Sequence, residues 1–307
     1  MKKSIKLLSI LVLVFFITDR LVAFGLKQLD KKVLTGQSVG KVNHFIAKKD
    51  SVNLLVFGSS RANHHVDNKL LNSSSFNAGS DGSKIGYSAL LISTLKKKNQ
   101  NIFVHIDHDK IYSSNYEGKD ILGLINLINR NDDIRKNISD FFPEEIIISK
   151  LFNTYLYNGK VLGMVKNYFV PNYDQSNYTG YDPLFPSEEQ KLIFQKLVKE
   201  NKFPAFKDKE FDLDKPNPLV NDFIDLISNI CKQNNSNLIF FTSPNLKLVD
   251  DNYRIKTKSY FFSKGLNYYD YSDLIDASDI SCWKDFTHLS HKGALKLTNE
   301  LKKHLTY

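Results

Sequence analysis

Asn53-Leu54-Leu55-Val56-Phe57-Gly58-Ser59-Ser60-Arg61 is a short apolar run that breaks at a glycine and passes into two serines. Such a run, apolar from Leu54 to Phe57, reads as a strand buried on both faces. Glycine permits the tight turn that brings a serine side chain to the end of the strand. A rhythm follows from this point. Ser75–Ala78, Ile102–Ile106, Leu238–Thr242 and Leu266–Tyr271 read as further short strands. Helical spacing appears at Asp67–Leu71, at Ser83–Lys97 and at Lys292–Leu305. Alternating strand and helix implies a parallel sheet covered on both faces, with right-handed crossovers. The expected fold is α/β, a flavodoxin-like three-layer sandwich with a central parallel sheet of about five strands. A long insertion of about residues 110–215 follows the third strand. It carries helical runs at Asp120–Ile128 and Ser187–Glu200 and a tyrosine-rich stretch with Tyr155, Tyr157, Tyr168, Tyr173, Tyr178 and Tyr181. These tyrosines suit packing, or stacking on sugar rings.

The chain has 307 residues, is 42% hydrophobic and 12% aromatic, and carries a net charge of +9. This composition builds a sizeable core and is not that of a disordered chain. Lysine and asparagine are spread throughout, and no dense Lys/Arg block marks a nucleic-acid surface, so no nucleic-acid partner is expected. Two cysteines, Cys231 and Cys282, without a Cys-x-x-Cys pair, give no thiolate zinc site and read as reduced, partly buried thiols.

Lys2, Lys3 and Lys6 precede an apolar run from Leu7 to Ile17, which Asp19-Arg20 interrupt before Leu21 to Leu26 resume. Ile5–Leu26 reaches the length of about 20 residues that a bilayer requires, with Asp19 and Arg20 near the outer interface and snorkelling. Residues 1–26 therefore read as a signal anchor, favoured over cleavage near Ala23-Phe24-Gly25. The lysines keep the N-terminus inside and place the rest on the extracytoplasmic side of the cell membrane, as a single-pass protein. Residues 27–50 read as a polar, lysine-rich connecting helix, and residues 51–307 as one domain with the insertion.

At the far end of the chain stands Asp285-Phe286-Thr287-His288, an acid three residues before a histidine and just ahead of the last helix. Sites in open α/β sheets form at the carboxyl ends of the strands, where Ser60 falls. Ser60, Asp285 and His288 supply nucleophile, orienting acid and general base in the chain order Ser…Asp…His. Ser60 is preferred to Ser59 because it stands at the strand-to-helix turn, and His288 to His291 because only His288 has an acid three residues upstream. The N–H groups of Ser60 and of Gly79, in Asn77-Ala78-Gly79, are the expected oxyanion donors. Arg61 either binds an anionic group of the substrate or bridges to an acid such as Asp81. His64 and His65 read as helix-surface residues. His105-Ile106-Asp107-His108-Asp109 reads as a solvated strand end rather than a ligand set, so neither a metal nor a cofactor is expected.

Phe57-Gly58-Ser59-Ser60-Arg61, Phe76-Asn77-Ala78-Gly79 and Asp285-x-x-His288-Leu289-x-x-x-Gly293 resemble blocks I, II and V of the SGNH/GDSL hydrolase superfamily. They are most similar to its membrane-anchored bacterial branch with a Gly-Ser-Ser-Arg signature, which includes proteins of polysaccharide O-acetylation and teichoic acid D-alanylation. The resemblance covers about residues 1–110 and 236–305. It implies a serine esterase or O-acyltransferase acting on acyl esters, acetyl esters first among them, of a cell-envelope polysaccharide. It also implies an acyl donor and, for transfer, a membrane-bound O-acyltransferase partner. One block departs. The third strand ends in Asp107 where the superfamily offers an asparagine as a further oxyanion donor, and losing one such donor typically costs about 10²–10³ in rate. The alternative that this departure supports is a non-catalytic glycan-binding or assembly protein on the same scaffold.

Overall fold

The computed structural model describes residues 2–204, 215–246 and 251–305. The last part of the expected insertion, 205–214, lies outside them. In chain order the elements are α1 (Lys2–Lys32), α2 (Val39–Lys48), β1 (Leu54–Phe57), α3 (Ser60–His65), α4 (Asn68–Leu71), β2 (Ser75–Asn77), α5 (Ile85–Ser93), β3 (Asn101–His105) and α6 (His108–Ile111). Then come α7 (Asp132–Phe141), α8 (Pro143–Leu151), α9 (Val161–Phe169), α10 (Glu188–Lys199), α11 (Pro218–Gln233), β4 (Asn237–Thr242), α12 (Asp251–Ser263), β5 (Asn267–Asp270) and α13 (His291–Lys302). The chain divides into two compact units, one of residues 1–46 and 121–178, the other of residues 47–120 and 179–307.

The larger unit holds a five-stranded sheet in the order β2-β1-β3-β4-β5. Every neighbouring pair is parallel. This is the flavodoxin-like order, with the direction of winding reversing beside β1. Alternation along the strands sends successive side chains to opposite faces. Leu54, Val56, Phe103, Ile239 and Phe241 join one core with Ala62 of α3, Leu71 of α4, Phe194 of α10 and Leu297 and Leu301 of α13. On the other face α5 packs on α11. There Phe261 of α12 lies against the rings of Phe240 and Tyr268, with centroids 4.7 and 4.8 Å away. Leu297 and Leu301 are fully buried, and each such side chain contributes about 1.5–3 kcal/mol. The last helix is therefore held firmly beneath the β1 end of the sheet. Asn77 closes β2 onto this framework: its amide donates to the carbonyls of Ala62 and Val66 at 2.8 and 2.9 Å.

The smaller unit begins with α1, a 31-residue helix long and apolar enough to cross a membrane. Its apolar side chains from Ile5 to Ile17 are largely exposed. Asp19 turns into the protein, while Arg20 beside it stays partly exposed. Asp19 is 6% exposed and accepts the N–H groups of Asn153 and Thr154, at 2.8 and 3.0 Å, at the start of the 3-10 turn Asn153–Tyr157. Arg20 pairs with Asp19 at 2.6 Å and donates to the carbonyls of Lys150 and Leu151 at the end of α8. The two side chains thus satisfy the orphan donors of one helical segment and the orphan acceptors of another.

Residues 27–50 are not one connecting helix. The first helix runs on to Lys32, a turn follows, and α2 buries Val39, Val42 and Phe45. The turn is tied down by Asp30, which is 1% exposed. Asp30 accepts from Asn43 at 2.9 Å, from Asn126 at 3.2 Å and from Arg130 at 2.8 Å. Periodicity could not show this knot, because its partners come from two segments distant in sequence, Asn43 in α2 and Asn126 with Arg130. Removing one member of a buried ion pair leaves the other charge uncompensated. Asp30→Ala is therefore expected to destabilise the smaller unit by about 3–5 kcal/mol. Thermal unfolding of the full chain in detergent checks this, and a melting curve identical to wild type contradicts it.

Candidate active site

The site is built where β1 runs into α3. Gly58 adopts φ +139°, and a Cβ there would lie 2.7 Å from the Cβ of His105 and 2.9 Å from that of Ala62. Only glycine admits both the backbone angle and the close approach of β3. Ser59 is the N-cap of α3, its hydroxyl accepting from the Arg61 N–H at 3.4 Å. Its neighbour Ser60 is then the first helical residue and turns its hydroxyl outward. Ser60 Oγ lies 2.9 Å from His288 Nε2.

His288 is presented by the loop between Trp283 and Ser290, which Asp285 folds. One carboxylate oxygen of Asp285 accepts the N–H groups of Thr287 and His288 at 2.8 and 2.9 Å. The same carboxylate meets His288 Nδ1 at 3.0 and 3.1 Å. An ionised carboxylate only accepts, so Nδ1 carries the proton and Nε2 is left to accept from Ser60. Burial raises the Asp285 pKa, but the bonds from His288 and Thr287 outweigh it and hold the carboxyl at about 2. The acid therefore stays ionised across the physiological range. His291 is engaged elsewhere, with Nδ1 3.0 Å from the Tyr181 hydroxyl.

Beneath this row lies a polar layer that sequence reasoning missed. His64 and His65 are buried, at 7% and 0% exposure, rather than on the helix surface. The Leu289 N–H donates to His65 Nε2 at 2.9 Å, so the His65 proton sits on Nδ1, which meets Ser243 Oγ at 3.0 Å. Ser243 Oγ lies 3.2 Å from His105 Nε2. Burial holds both His65 and His105 well below the ordinary imidazole range, and Arg61 pushes the same way. His64 differs. Burial lowers its pKa, but Asp81 at 3.2 Å and the Asp182 carbonyl at 2.5 Å accept from its two nitrogens, and the net shift is upward. The pair His64-His65 following the serine turn was the available signal. Nothing local to Ser243, which reads as the stop after β4, points to its role.

Ser60 and His288 line a cavity of about 280 Å³ with Arg61, Asp107, Lys84 and Tyr116. Arg61 pairs with Asp107, not with Asp81, and also donates to the Ser243 carbonyl at 3.5 Å. Burial lowers its pKa to about 10, against the raising effect of Asp109, so the guanidinium stays charged at neutral pH. Asp107 thus faces the cavity with a cation beside it. Gly79 is not placed as an oxyanion donor. Its N–H donates to Asn77 Oδ1 at 2.9 Å, because the buried Asn77 carbonyl oxygen requires a donor. Its missing Cβ instead lets the β2 end pack against α3, where a Cβ would meet the Asn63 nitrogen at 2.6 Å. Among the described residues no group of three or more His, Cys, Asp or Glu side chains is arranged to hold a metal ion. The two cysteines are free and buried.

Comparison with protein-family models and with curated proteins gives no match. The functional reading therefore rests on the site's own geometry.

Two outcomes follow. Ser243→Ala leaves His65 Nδ1 and His105 Nε2 without their shared partner, and is expected to cost about 1–3 kcal/mol in thermal or denaturant unfolding. By carbon-13 NMR, the Asp285 carboxyl is expected to titrate at about 2 in the wild type. In His288→Ala, with the largest lowering contact removed, its midpoint rises toward the ordinary value of about 3.9. An unmoved midpoint would show that the imidazole contributes nothing to holding the acid ionised.

Proposed function

We propose that this protein is a membrane-anchored serine esterase or O-acyltransferase of the SGNH kind, acting on acyl esters of a cell-envelope polysaccharide. The observation that carries the proposal is the unbroken relay from Asp285 through His288 to Ser60, with contacts of 3.0 and 2.9 Å, opening onto a cavity. Three residues drawn from the two ends of the sheet domain meet there in the geometry that nucleophilic acyl transfer requires.

In this mechanism His288 Nε2 takes the Ser60 hydroxyl proton as Oγ attacks the acyl carbonyl. The tetrahedral oxyanion is met by the Ser60 N–H at the first turn of α3, while Arg61 offsets the charge of Asp107 on the same cavity wall. Collapse breaks the ester bond, and the departing alcohol oxygen takes the proton back from His288. This leaves an acyl group on Ser60. A water molecule or a glycan hydroxyl then gives its proton to His288 and attacks the acyl-enzyme, releasing acid or acylated glycan and restoring Ser60. Asp285 keeps the imidazole in one tautomer throughout and stabilises the imidazolium when it forms. Ser83, Ser113, Lys84 and Lys110 on the cavity wall supply donors and acceptors for a hydroxyl-rich substrate, beside an apolar part formed by Ile85, Ile106 and Val220. The resemblance to the Gly-Ser-Ser-Arg branch supports the envelope glycan as that substrate and a membrane-bound O-acyltransferase as the partner for transfer. The length and apolar character of α1 support a single-pass anchor, and its lysine-rich start supports an extracytoplasmic catalytic domain.

The test is labelling of the full chain in detergent with a fluorophosphonate, together with acyl analysis of envelope glycans in cells. Ser60→Ala is expected to abolish labelling and to lower ester turnover by about 10³ or more, whereas Ser59→Ala still labels. An unlabelled wild type whose Ser60→Ala form leaves glycan acylation unchanged would overturn the enzyme reading. The non-catalytic glycan-binding or assembly protein would then stand in its place.

A further inference from the structure

The smaller unit carries a surface whose polarity is inverted. In α9 the residue turned inward is Met164, 1% exposed, while Leu162, Val165 and Phe169 are 87%, 39% and 73% exposed. Their spacing of three and four residues puts them on one stripe. Val170, just past the helix, is also exposed. The same holds for α8, which buries Ser149 and leaves Ile147 and Leu151, four residues apart, facing out. A helix on a water-facing surface points such a stripe at the core. Two neighbouring helices that both do the opposite face an apolar medium.

Continuity with α1 identifies that medium. The Phe152 ring, between α8 and the 3-10 turn, stacks on Phe16 at 5.8 Å and meets Phe15 edge-on at 5.9 Å. Both partners lie within the membrane-length apolar run. Farther along, an apolar groove of about 500 Å³ runs between Val22 and Leu26 of α1 and Tyr155 and Val161. Asp19 and Arg20, the two charges that interrupt the apolar run, are satisfied by the backbone of Asn153, Thr154, Lys150 and Leu151. Polar groups at membrane depth are tolerated when protein satisfies them. Asp19 precedes Leu26 by seven residues, so the collar meets α1 about 10 Å short of the end of the apolar stretch.

We infer that α8, the 3-10 turn and α9 form a collar around the C-terminal end of the α1 span, embedded in the boundary between lipid headgroups and acyl chains. Leu162, Phe169, Val170, Ile147 and Leu151 contact lipid. The Asp19–Arg20 pair locks the collar to the span at fixed depth, so the anchor is a helix with a lipid-seated base rather than a single tether. Interfacial helices insert their apolar faces to about 5–10 Å, which matches this position. The inference rests on reading α1 as a membrane span.

The test reconstitutes the full chain in vesicles of phosphatidylcholine and phosphatidylglycerol, with and without lipids brominated on the acyl chain. Bimane is attached to single introduced cysteines, the native Cys231 and Cys282 being buried. Leu162→Cys and Phe169→Cys report on the collar, Val12→Cys on the span, and Lys232→Cys on α11 as an aqueous control. Expected is strong bromolipid quenching at positions 12, 162 and 169 and little at 232. Quenching at 12 with positions 162 and 169 no different from 232 overturns the collar and leaves the anchor standing. Labels at 162 and 169 shielded from aqueous iodide yet unquenched by bromolipid mean a protein occupant, and also overturn it. Absence of quenching at 12 overturns the membrane reading of α1, and the collar with it.

Discussion

A hydrogen bond of 2.9 Å from the Leu289 amide to His65 Nε2 joins segments 224 residues apart, and the candidate site depends on it. On one side is α3, which begins at Ser60. On the other is the loop that carries His288, one residue before Leu289. A backbone N–H can only donate, so it forces His65 into the tautomer with its proton on Nδ1. That proton faces Ser243, and the Ser243 hydroxyl completes the chain toward His105 on β3. A protonated His65 could not accept from Leu289 and would add a cation near the buried Arg61. Burial and charge both keep it neutral. The register between Ser60 and His288 is therefore set by a buried polar layer below them, not by the two side chains alone.

The layer explains how a half-exposed relay keeps its geometry. Ser60 and His288 stand at a cavity wall open to solvent, where a single hydrogen bond has a modest net worth of about 0.5–1.5 kcal/mol. Beneath them His65, Ser243 and His105 are almost wholly buried, where breaking a polar contact costs more than it does in water. Side chains packed in this way hold Ser60 and His288 in place more firmly than those two hold each other. Asp107 fits the same scheme. A carboxylate at the cavity is hostile to developing negative charge, and its pairing with Arg61 removes much of that hostility. The arginine that follows the serine is thus committed inward, as the counter-charge of the residue that replaces the expected asparagine.

Much of this was legible before any tertiary information. All five strands were placed to within a residue or two, and β1, β3 and β4 most directly, since a parallel strand buried on both faces is an apolar run. The Asp-x-x-His spacing was readable because Asp285 folds its own loop through contacts two and three residues away. Less was legible wherever a side chain is defined by a distant partner. His64 and His65 read as surface residues because α3, at six residues, is too short to show a periodicity. The partners of Asp19 and Arg20 were not legible, because the backbone they satisfy lies more than a hundred positions away. The stretch 27–50 read as a solvated connection because lysines mask Val39, Val42 and Phe45, which only the packing of α2 reveals as core.

The sequence by itself determined the alternation of elements, the membrane-length helix and the identity of the serine, acid and histidine that stand together. These follow from local rules: which residues tolerate a turn, which bury on both faces, which hydrogen-bond to their near neighbours. Only the tertiary structure decided that Gly79 spends its N–H on Asn77, that Arg61 answers Asp107, and that a histidine–serine–histidine layer underlies the relay. Each is a competition among partners brought close by the sheet order. The winner is fixed by the cost of leaving a buried donor or acceptor without a partner, a condition imposed on the folded molecule as a whole that no short stretch of chain expresses.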